Sequence, residues 1–256
     1  MLLAIDVGNT NIVYGLFDGV RLAHQFRVET SRGRTADEYA VQLRSLLAMR
    51  GVAPEAVEEA IVACVVPSLT EPMAVLVRQA FGREAMVVGP GIRTGMAILL
   101  ENPREVGADR IADAVAGFDK VKGGVIVVDF GTSTSFDCVS PKGEYLGGAL
   151  APGLQISADA LFARAAKLPR VEIVKPTKAV GRSTVQAMQS GIVFGYVGLV
   201  DGLVTRLKIE LGYPCRVLAT GGLASLVAPQ SDTIDEIDAE LTLVGLRLLF
   251  ERNRTA

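Results

Sequence analysis

Two loops of the sequence combine an acidic residue, a glycine and hydroxyl side chains directly after an apolar strand. The first is Asp6-Val7-Gly8-Asn9-Thr10, with Asn11 after it, and the second is Asp129-Phe130-Gly131-Thr132. Glycine lets backbone N–H groups approach phosphate oxygens without obstruction by a Cβ atom. A carboxylate beside phosphate is repulsive unless a cation lies between them, so the first loop predicts a nucleotide whose hydrated Mg²⁺ is oriented by Asp6.

A third loop of related character follows the strand Arg216 to Thr220, which ends in the pair Gly221-Gly222. Two adjacent glycines let the backbone lie flat against an adenine or a ribose. Each loop has an ordinary alternative: a hairpin turn for the first, a hydroxyl-rich surface turn for the second and a strand-to-helix connection for the third. The recurrence of one pattern along the chain favours nucleotide binding.

A segment between the first two loops carries side chains suited to phosphoryl transfer. Asp109 can accept the proton of a primary alcohol as the phosphoryl group is transferred. The planar guanidinium of Arg110 can hold an acceptor oxygen such as a carboxylate, and the backbone of Gly107 and Ala108 permits close approach. The alternative for Asp109 and Arg110 is a helix N-terminal acid followed by a surface cation, which the helix dipole also favours.

The elements that position these loops alternate between strands and helices. In the first half, capping boxes begin at Thr35 and at Ser68 and open two helices, which gives the order β-β-β-α-β-α-β. The predicted elements there are strands Leu2–Asp6, Ile12–Phe17, Leu22–Val28, Ala60–Val66 and Ala85–Val88, and helices from Thr35 to Arg50 and from Ser68 to Phe81. The second half predicts strands Val125–Asp129, Thr134–Val139 and Tyr145–Leu150, and helices near Ser183–Leu211 and Asp238–Arg252.

Each half of the sequence contains the same pattern, an apolar strand that ends in Asp-x-Gly and is followed by further strands. Asp129 follows Asp6 after about half of the 256 residues, which indicates an internal duplication. We therefore expect an α/β fold with mixed sheets, in which two similar lobes face each other across a central nucleotide cleft. The predicted boundary divides an N-terminal lobe, residues 1–118, from a C-terminal lobe, residues 119–256.

Composition narrows the function classes. Lys and Arg total 26 and Asp and Glu total 28, so the formal net charge of −2 provides no basic field of the kind that nucleic-acid binders use. Every apolar run is too short to span a bilayer, and Met1 leads into Leu2 without a signal peptide, so we expect a cytoplasmic protein without membrane partners. Cys64, Cys138 and Cys215 form no pair motif and are expected to be buried thiols.

Three strand-terminal loops in this order resemble the phosphate-1, phosphate-2 and adenosine motifs of the acetate and sugar kinase, Hsp70 and actin superfamily, whose ribonuclease H-like fold is thereby expected. Glu101-Asn102-Pro103, followed by Gly107-Ala108-Asp109-Arg110, narrows the resemblance to type III pantothenate kinase. No P-loop and no His-Arg-Asp kinase loop occurs in the sequence. The resemblance implies ATP-dependent phosphorylation of pantothenate to 4′-phosphopantothenate, which is the first step of coenzyme A biosynthesis.

The resemblance also implies roles for individual residues. Asp109 is the catalytic residue, and Asp129 helps to hold a monovalent cation, K⁺ or NH₄⁺, while Asp6 contacts Mg²⁺ through water. The family commonly has a Tyr where this chain has Leu100, so one polar or stacking contact to pantothenate is missing or replaced. The implied ATP-binding residues are Asp6, Val7, Gly8, Asn9, Thr10, Asn11, Ile12, Val13, Thr132, Gly221 and Gly222, and the implied substrate-binding residues are Leu100, Gly107, Ala108, Asp109, Arg110 and Thr184.

Gly191, Gly195, Gly198 and Gly202 recur at helical spacing and place small residues on one helical face. They indicate either a core helix of the second lobe or, as the resemblance implies, a homodimer interface. Two other functions stay open: a catalytically weak accessory protein of transcription of the Baf type, and a kinase of the same fold that acts on another small acceptor.

Overall fold

The computed structural model of the chain describes residues 1–254 and contains eleven strands and seven α-helices in that range. Short 3₁₀ helices cover Pro54–Ala56, Pro103–Glu105 and Ala228–Gln230. The strands are β1 Leu2–Val7, β2 Asn11–Asp18, β3 Arg21–Glu29, β4 Glu59–Cys64, β5 Ala85–Val87, β6 Ala97–Ile98, β7 Val125–Phe130, β8 Ser133–Val139, β9 Glu144–Pro152, β10 Arg216–Thr220 and β11 Glu236–Ile237. The helices are α1 Ala36–Ala48, α2 Pro67–Phe81, α3 Ala108–Val121, α4 Leu154–Arg164, α5 Thr184–Leu211, α6 Ala224–Val227 and α7 Leu241–Asn253.

The first sheet has the strand order β3-β2-β1-β4-β5. The strands β1, β2 and β3 pair antiparallel, whereas β1-β4 and β4-β5 pair parallel. Its apolar residues form one core cluster with α1 and α2, in which Tyr14, Tyr39 and Leu43 are fully buried. The three strands predicted at the start of the chain are therefore confirmed, and they form an antiparallel meander.

The second sheet has the order β11-β10-β7-β8-β9-β6 and repeats the arrangement of the first. The strands β7, β8 and β9 pair antiparallel, and β10 and β11 continue on the other side of β7 as parallel strands. Asp6 pairs with Val13, and Asp129 takes the corresponding position opposite Ser135. The two loops singled out in the sequence thus follow equivalent strands of two similar mixed sheets, and only β6 lacks a counterpart.

The observed helix starts agree with the predicted ones for α1 and α5 and differ for α2. Thr35 caps α1 with the predicted capping box, in which Glu38 accepts from the Thr35 backbone, and Ser183 caps α5. The capping box predicted at Ser68 is wrong. The helix α2 begins one residue earlier, at Pro67, after the uncapped Val66, because the fixed φ of proline suits the first helical position.

The chain clusters into two compact units whose segments differ from the predicted lobes. Unit 1 contains Met1–Met96, Asn102–Ala116 and the segment that begins at Thr242, and unit 2 contains Ala97–Glu101 and Gly117–Leu241. The predicted boundary at residue 118 lies close to the start of the main segment of unit 2, and residues 255 and 256 of the predicted C-terminal lobe lie outside the described residues. The C-terminal helix joins unit 1 because Gly245 packs directly on the Ala112 backbone, where a Cβ atom would overlap it.

Within residues 1–254, no helix is both long enough and apolar enough to serve as a membrane span. The three cysteines are free thiols. The prediction that all three are buried is wrong for two of them: Cys138 is buried, but Cys64 and Cys215 are half-buried.

Candidate active site

The loop after β1 is a tight connection between two paired strands of unit 1. Val7 pairs with Ile12, and the Gly8 N–H donates to the Asn11 carbonyl oxygen at 3.0 Å. A Cβ atom on Gly8 would lie 3.0 Å from that oxygen, which explains the glycine. Asn9 and Thr10 at the tip are exposed, whereas the side chains of Val7, Ile12 and Val13 lie in the core. Any contact of those three apolar residues with a ligand is therefore made by their backbone.

The segment after β3 is tied to this loop, and sequence reasoning missed it. Thr30 donates from its hydroxyl to the Gly8 carbonyl oxygen at 2.7 Å and from its backbone N–H to the Thr10 carbonyl oxygen at 2.9 Å. Two residues later, Nη2 of Arg32 donates to Oδ1 of Asn9 at 3.2 Å. No local pattern in the sequence marks these contacts. They follow from the pairing of Asn11 with Glu29, which places the residues after β3 beside the loop.

Asp109 lies in the first turn of α3, in the same unit as the β1 loop. Its Oδ1 accepts from the Arg110 backbone N–H at 2.8 Å, and both residues are half-buried. Gly107 lies directly against this carboxylate, since a Cβ atom there would overlap Oδ1 of Asp109. The N-terminal end of the helix dipole favours the ionised carboxylate, which is the form that accepts a proton.

Within unit 1, Val65 lies between the end of β1 and Gly107, the residue that packs on the Asp109 carboxylate. The Val65 backbone N–H donates to the Val7 carbonyl oxygen at 3.0 Å, and Cγ1 of Val65 would touch a Cβ atom on Gly107 at 3.6 Å. The segment that carries Asp109 therefore packs beside the end of β1, where the phosphate loop begins. The structure brings the predicted catalytic residue and the first predicted phosphate loop to the same edge of the first sheet.

In unit 2, three predicted site residues surround the end of β7. Thr220 of β10 pairs with Asp129, and Gly221 then turns with φ +89° against the Asp129 carboxylate and the Phe130 backbone. Thr132 is exposed at the tip of the next loop. The parallel pairing of β7 and β10 thus brings the second loop and the glycine pair together.

Tyr196 of α5 stabilises the loop after β7 through hydrogen bonds. The Tyr196 hydroxyl donates to the Pro152 carbonyl oxygen at 2.9 Å and is hydrogen-bonded to the Thr134 hydroxyl. Burial raises the pKa of Tyr196, and the hydrogen bond with Thr134 offsets part of that rise. Gly153 follows with its N–H directed at the Thr132 carbonyl oxygen, at 3.2 Å. The position of Thr132 is therefore set by the end of β9 and by α5.

The two remaining predicted substrate residues lie at different places in unit 2. Leu100 follows β6 and packs on Gly147, where a Cβ atom would lie 3.0 Å from Cδ2 of the leucine. The Leu99 N–H donates to the Tyr145 carbonyl oxygen at 2.8 Å and fixes this segment on β9. Thr184, by contrast, is exposed at the start of α5 and lines a groove between α4 and α5.

The carboxylates of the two loops are suited to a cation whose other ligands are mostly water molecules and phosphate oxygens. Among residues 1–254, no three His, Cys, Asp or Glu residues are grouped as a metal cage. Mg²⁺ keeps several water ligands and is usually bound through one or two carboxylates together with phosphate oxygens. Single carboxylates such as Asp6 and Asp129, each beside a glycine loop, suit that mode of binding.

The chain matches the family model described as type III pantothenate kinase over residues 2–206. A type III pantothenate kinase of Myxococcus xanthus (strain DK1622) is 54% identical over 256 residues, which cover 100% of this chain and 100% of that relative. The chain belongs to the type III pantothenate kinase family. The family identified from the sequence motifs is therefore confirmed.

Solved structures extend the likeness to other proteins at the level of the fold. A Baf family transcriptional activator of Campylobacter jejuni, described as conserved and not yet proven in that role, has a TM-score of 0.63 and 17% identity, with 98% of each chain covered. An inorganic polyphosphate/ATP-glucomannokinase of Arthrobacter sp. strain KM has a TM-score of 0.51 and 16% identity, with 99% of each chain covered. The predicted α/β fold of the actin and sugar-kinase type is confirmed, and this member of the type III pantothenate kinase family has it with two mixed sheets.

Proposed function

We propose that this protein transfers the γ-phosphoryl group of ATP to the primary hydroxyl of pantothenate and forms 4′-phosphopantothenate, the entry to coenzyme A biosynthesis. The observation that carries the proposal is the position of Gly107, which lies against the Asp109 carboxylate and beside Val65 at the end of β1. A carboxylate that accepts the hydroxyl proton must lie close to the phosphate-binding loop, because the acceptor oxygen attacks the terminal phosphorus in line.

The nucleotide residues of the proposal are the ones that the sequence singled out. Backbone N–H groups of Asn9 to Asn11 and the exposed Asn9 and Thr10 side chains bind phosphate oxygens, and Val7, Ile12 and Val13 contribute backbone only. Gly8, whose N–H donates to the Asn11 carbonyl oxygen, leaves room for the phosphate because it has no side chain. In unit 2, Thr132 offers a hydroxyl, and the glycine pair Gly221-Gly222 provides an open backbone surface for the adenosine. The left-handed turn at Gly221 supports this assignment, since it leaves no side chain over the end of β7.

On the acceptor side, we assign proton transfer and pantothenate binding to different residues. Asp109 accepts the hydroxyl proton, and the Arg110 guanidinium binds the pantothenate carboxylate through its planar fork. Gly107 and Ala108 let the acceptor approach the backbone of α3. Leu100, packed on Gly147, offers an apolar contact where a Tyr is common in the family, and Thr184 offers a hydroxyl.

Two cations complete the proposal. Asp6 orients hydrated Mg²⁺, and Asp129, together with hydroxyl groups of its loop, holds K⁺ or NH₄⁺. These ions neutralise charge on the phosphates when they are bound. The exposed hydroxyl groups of Thr132 and Ser133, which follow Asp129 in this loop, support the monovalent site, because such ions take oxygen ligands.

A homodimer is the proposed assembly. The helices α4 and α5 enclose an apolar groove of about 570 Å³, lined by residues that include Leu161, Met188, Ile192 and Leu199. Gly191, Gly195 and Gly198 are exposed, and a Cβ atom on any of them would have no neighbour within 4 Å. A second copy of the chain would cover both the groove and the glycine face, which permit close approach of another helix.

An ADP-release assay with a panel of acceptors tests the function. Pantothenate should give turnover that increases when K⁺ or NH₄⁺ replaces Na⁺, and sugars or acetate should give none. Product mass should show one phosphoryl group added to pantothenate. Turnover on a sugar without turnover on pantothenate would overturn the acceptor assignment, and ADP release without any acceptor would overturn the kinase reaction.

A further inference from the structure

We infer that Arg32 is a further nucleotide-binding residue, which contacts the β- or γ-phosphate of ATP beside the loop after β1. Its Nη2 donates to Oδ1 of Asn9 at 3.2 Å, so the guanidinium already lies at the tip of the proposed phosphate loop. The inference rests on the proposed nucleotide role of that loop. It adds a residue type that the loop itself lacks, because the sequence from Asp6 to Val13 contains no Lys or Arg.

The backbone before Arg32 is anchored on both sides. Thr30 makes two hydrogen bonds to the β1 loop, at 2.7 and 2.9 Å. Ser31 donates from its N–H to the Tyr39 hydroxyl at 2.9 Å, and that hydroxyl donates to the Ser31 carbonyl oxygen at 2.8 Å. Tyr39 is fully buried, so it holds the segment rigidly against α1. The Arg32 side chain therefore starts from a fixed point next to the loop, which lowers the entropy lost when it binds a ligand.

Arg32 forms no ion pair with any other residue of the range 1–254. The guanidinium is exposed, and among residues 1–254 its one side-chain hydrogen bond is to the neutral amide oxygen of Asn9. A nucleoside triphosphate brings several negative charges to the loop after β1, which already neighbours Asp6. An arginine is suited to this place, since its planar fork binds two phosphate oxygens and retains its charge at every accessible pH.

The ordinary alternative is that Arg32 only orients Asn9. The two roles differ in their dependence on salt. A direct contact between a guanidinium and phosphate weakens as ionic strength rises, whereas a hydrogen bond to a neutral amide is nearly insensitive to it. The salt dependence of nucleotide affinity therefore separates the two.

The experiment is calorimetric titration of the full chain with MgATP and MgADP, without acceptor, at low and high ionic strength. The variants are Arg32→Gln, Arg32→Lys and, as a matched control, Arg44→Gln, because Arg44 is an exposed arginine of α1 in the same unit. Arg32→Gln should raise both dissociation constants by about 10- to 100-fold at low salt, the effect of losing one charge-assisted hydrogen bond. It should also flatten their salt dependence.

Arg32→Lys should keep the salt dependence and recover part of the affinity, and Arg44→Gln should match the wild type. Arg32→Gln with the affinity of Arg44→Gln would overturn the inference, and so would weakened binding with an unchanged salt dependence. Thermal unfolding of each variant checks that the fold is retained. A chain that binds ATP through Arg32 but does not phosphorylate pantothenate would overturn the proposed function and leave this inference standing.

Discussion

Gly221 lies so close to Asp129 that no side chain fits between them. The glycine adopts φ +89°, a Cβ atom there would overlap Oδ1 of Asp129, and the Phe130 backbone would lie 2.7 Å away. The parallel pairing of Thr220 with Asp129 forces this approach. The carboxylate at the end of β7 is therefore positioned by a glycine of the neighbouring strand's loop.

Gly221→Ala should lower both stability and affinity for ATP. The left-handed conformation and the overlap with the Phe130 backbone together should cost about 1 to 3 kcal/mol, as backbone strain of this kind does. Gly212→Ala is the matched control, since Gly212 has φ +69° at the end of α5 with no neighbour within 4 Å of a Cβ atom. Urea denaturation of both variants should show the larger loss for Gly221→Ala, and only that variant should raise the KM for ATP. Equal losses would show that packing against Asp129 is unimportant.

Asp109→Asn should lower kcat on pantothenate by about 10²- to 10⁴-fold, which is the usual contribution of a positioned proton acceptor. The amide is nearly isosteric and keeps the contact with Gly107, so the unfolding midpoint should change little. Asp119→Asn is the control on the same helix, because Asp119 only pairs with Lys122 at 2.6 Å. Steady-state kinetics with both substrates varied is the measurement. Unchanged kcat in Asp109→Asn would remove this residue from the proton-acceptor role.

Tyr196→Phe should weaken the support of the second phosphate loop. The change removes the hydrogen bonds with Thr134 and Pro152, each of which contributes about 1 kcal/mol to stability. Tyr213→Phe is the control, because the buried Tyr213 hydroxyl has no hydrogen bond within residues 1–254. Differential scanning calorimetry should show a lower Tm for Tyr196→Phe and an unchanged Tm for Tyr213→Phe. The KM for ATP should rise in Tyr196→Phe only. The reverse order of the two Tm values would contradict this account.

Local patterns in the sequence predicted the loops and most element starts. Glycines and acidic residues after apolar runs placed the end of β10 correctly and the ends of β1 and β7 within one residue, because these features depend only on neighbouring residues. At Ser68 the same reasoning failed: Ser68 to Glu71 satisfies the capping pattern, but Pro67 already occupies the first helical position. Two local signals competed there, and the fixed backbone of proline prevailed.

Contacts between distant segments were not predictable in this way. Arg32 reaches Asn9 through the register of β2 with β3, which includes a bulge near Leu16 that no local pattern announces. The C-terminal helix joins unit 1 because Gly245 and Ala112 allow two backbones to meet, a fit that depends on the tertiary packing. Such pairings require the folded arrangement, since neither partner carries a distinctive neighbourhood.

Asp201 should make stability depend on pH in the acid range. Burial raises the pKa of this carboxyl, but hydrogen bonds from Ser231, Thr233 and the backbone of Asp232 outweigh that effect and hold the pKa below its ordinary value of 3.8. A depressed pKa contributes stability that is present above pH 3.8 and is lost as pH falls through the folded value. Asp201→Asn should therefore cost about 1 kcal/mol near neutral pH, allowing for partial exposure, and less as the pH drops.

Urea denaturation from neutral to acid pH is the measurement, with Asp232→Asn as the neighbouring control. Asp232 donates to Oδ2 of Asp201 from its backbone N–H at 3.3 Å, so replacing its side chain should not change this hydrogen bond. A difference between wild type and Asp201→Asn that grew toward acid pH would have the wrong sign for this mechanism.

Gly195→Arg should convert the proposed dimer into a folded monomer. A Cβ atom on Gly195 has no neighbour within 4 Å, and replacing glycine in a helix interior stabilises the helix by about 1 kcal/mol, so the single chain should remain intact. The charged side chain would project from the glycine face beside Ile192 and Leu199, where it would meet a second copy. Ile209→Arg is the control, since Ile209 is 75% exposed near the other end of the same helix. Light scattering should give a dimer mass for the wild type and Ile209→Arg and a monomer mass for Gly195→Arg, whereas a monomer mass for the wild type would reject the dimer itself.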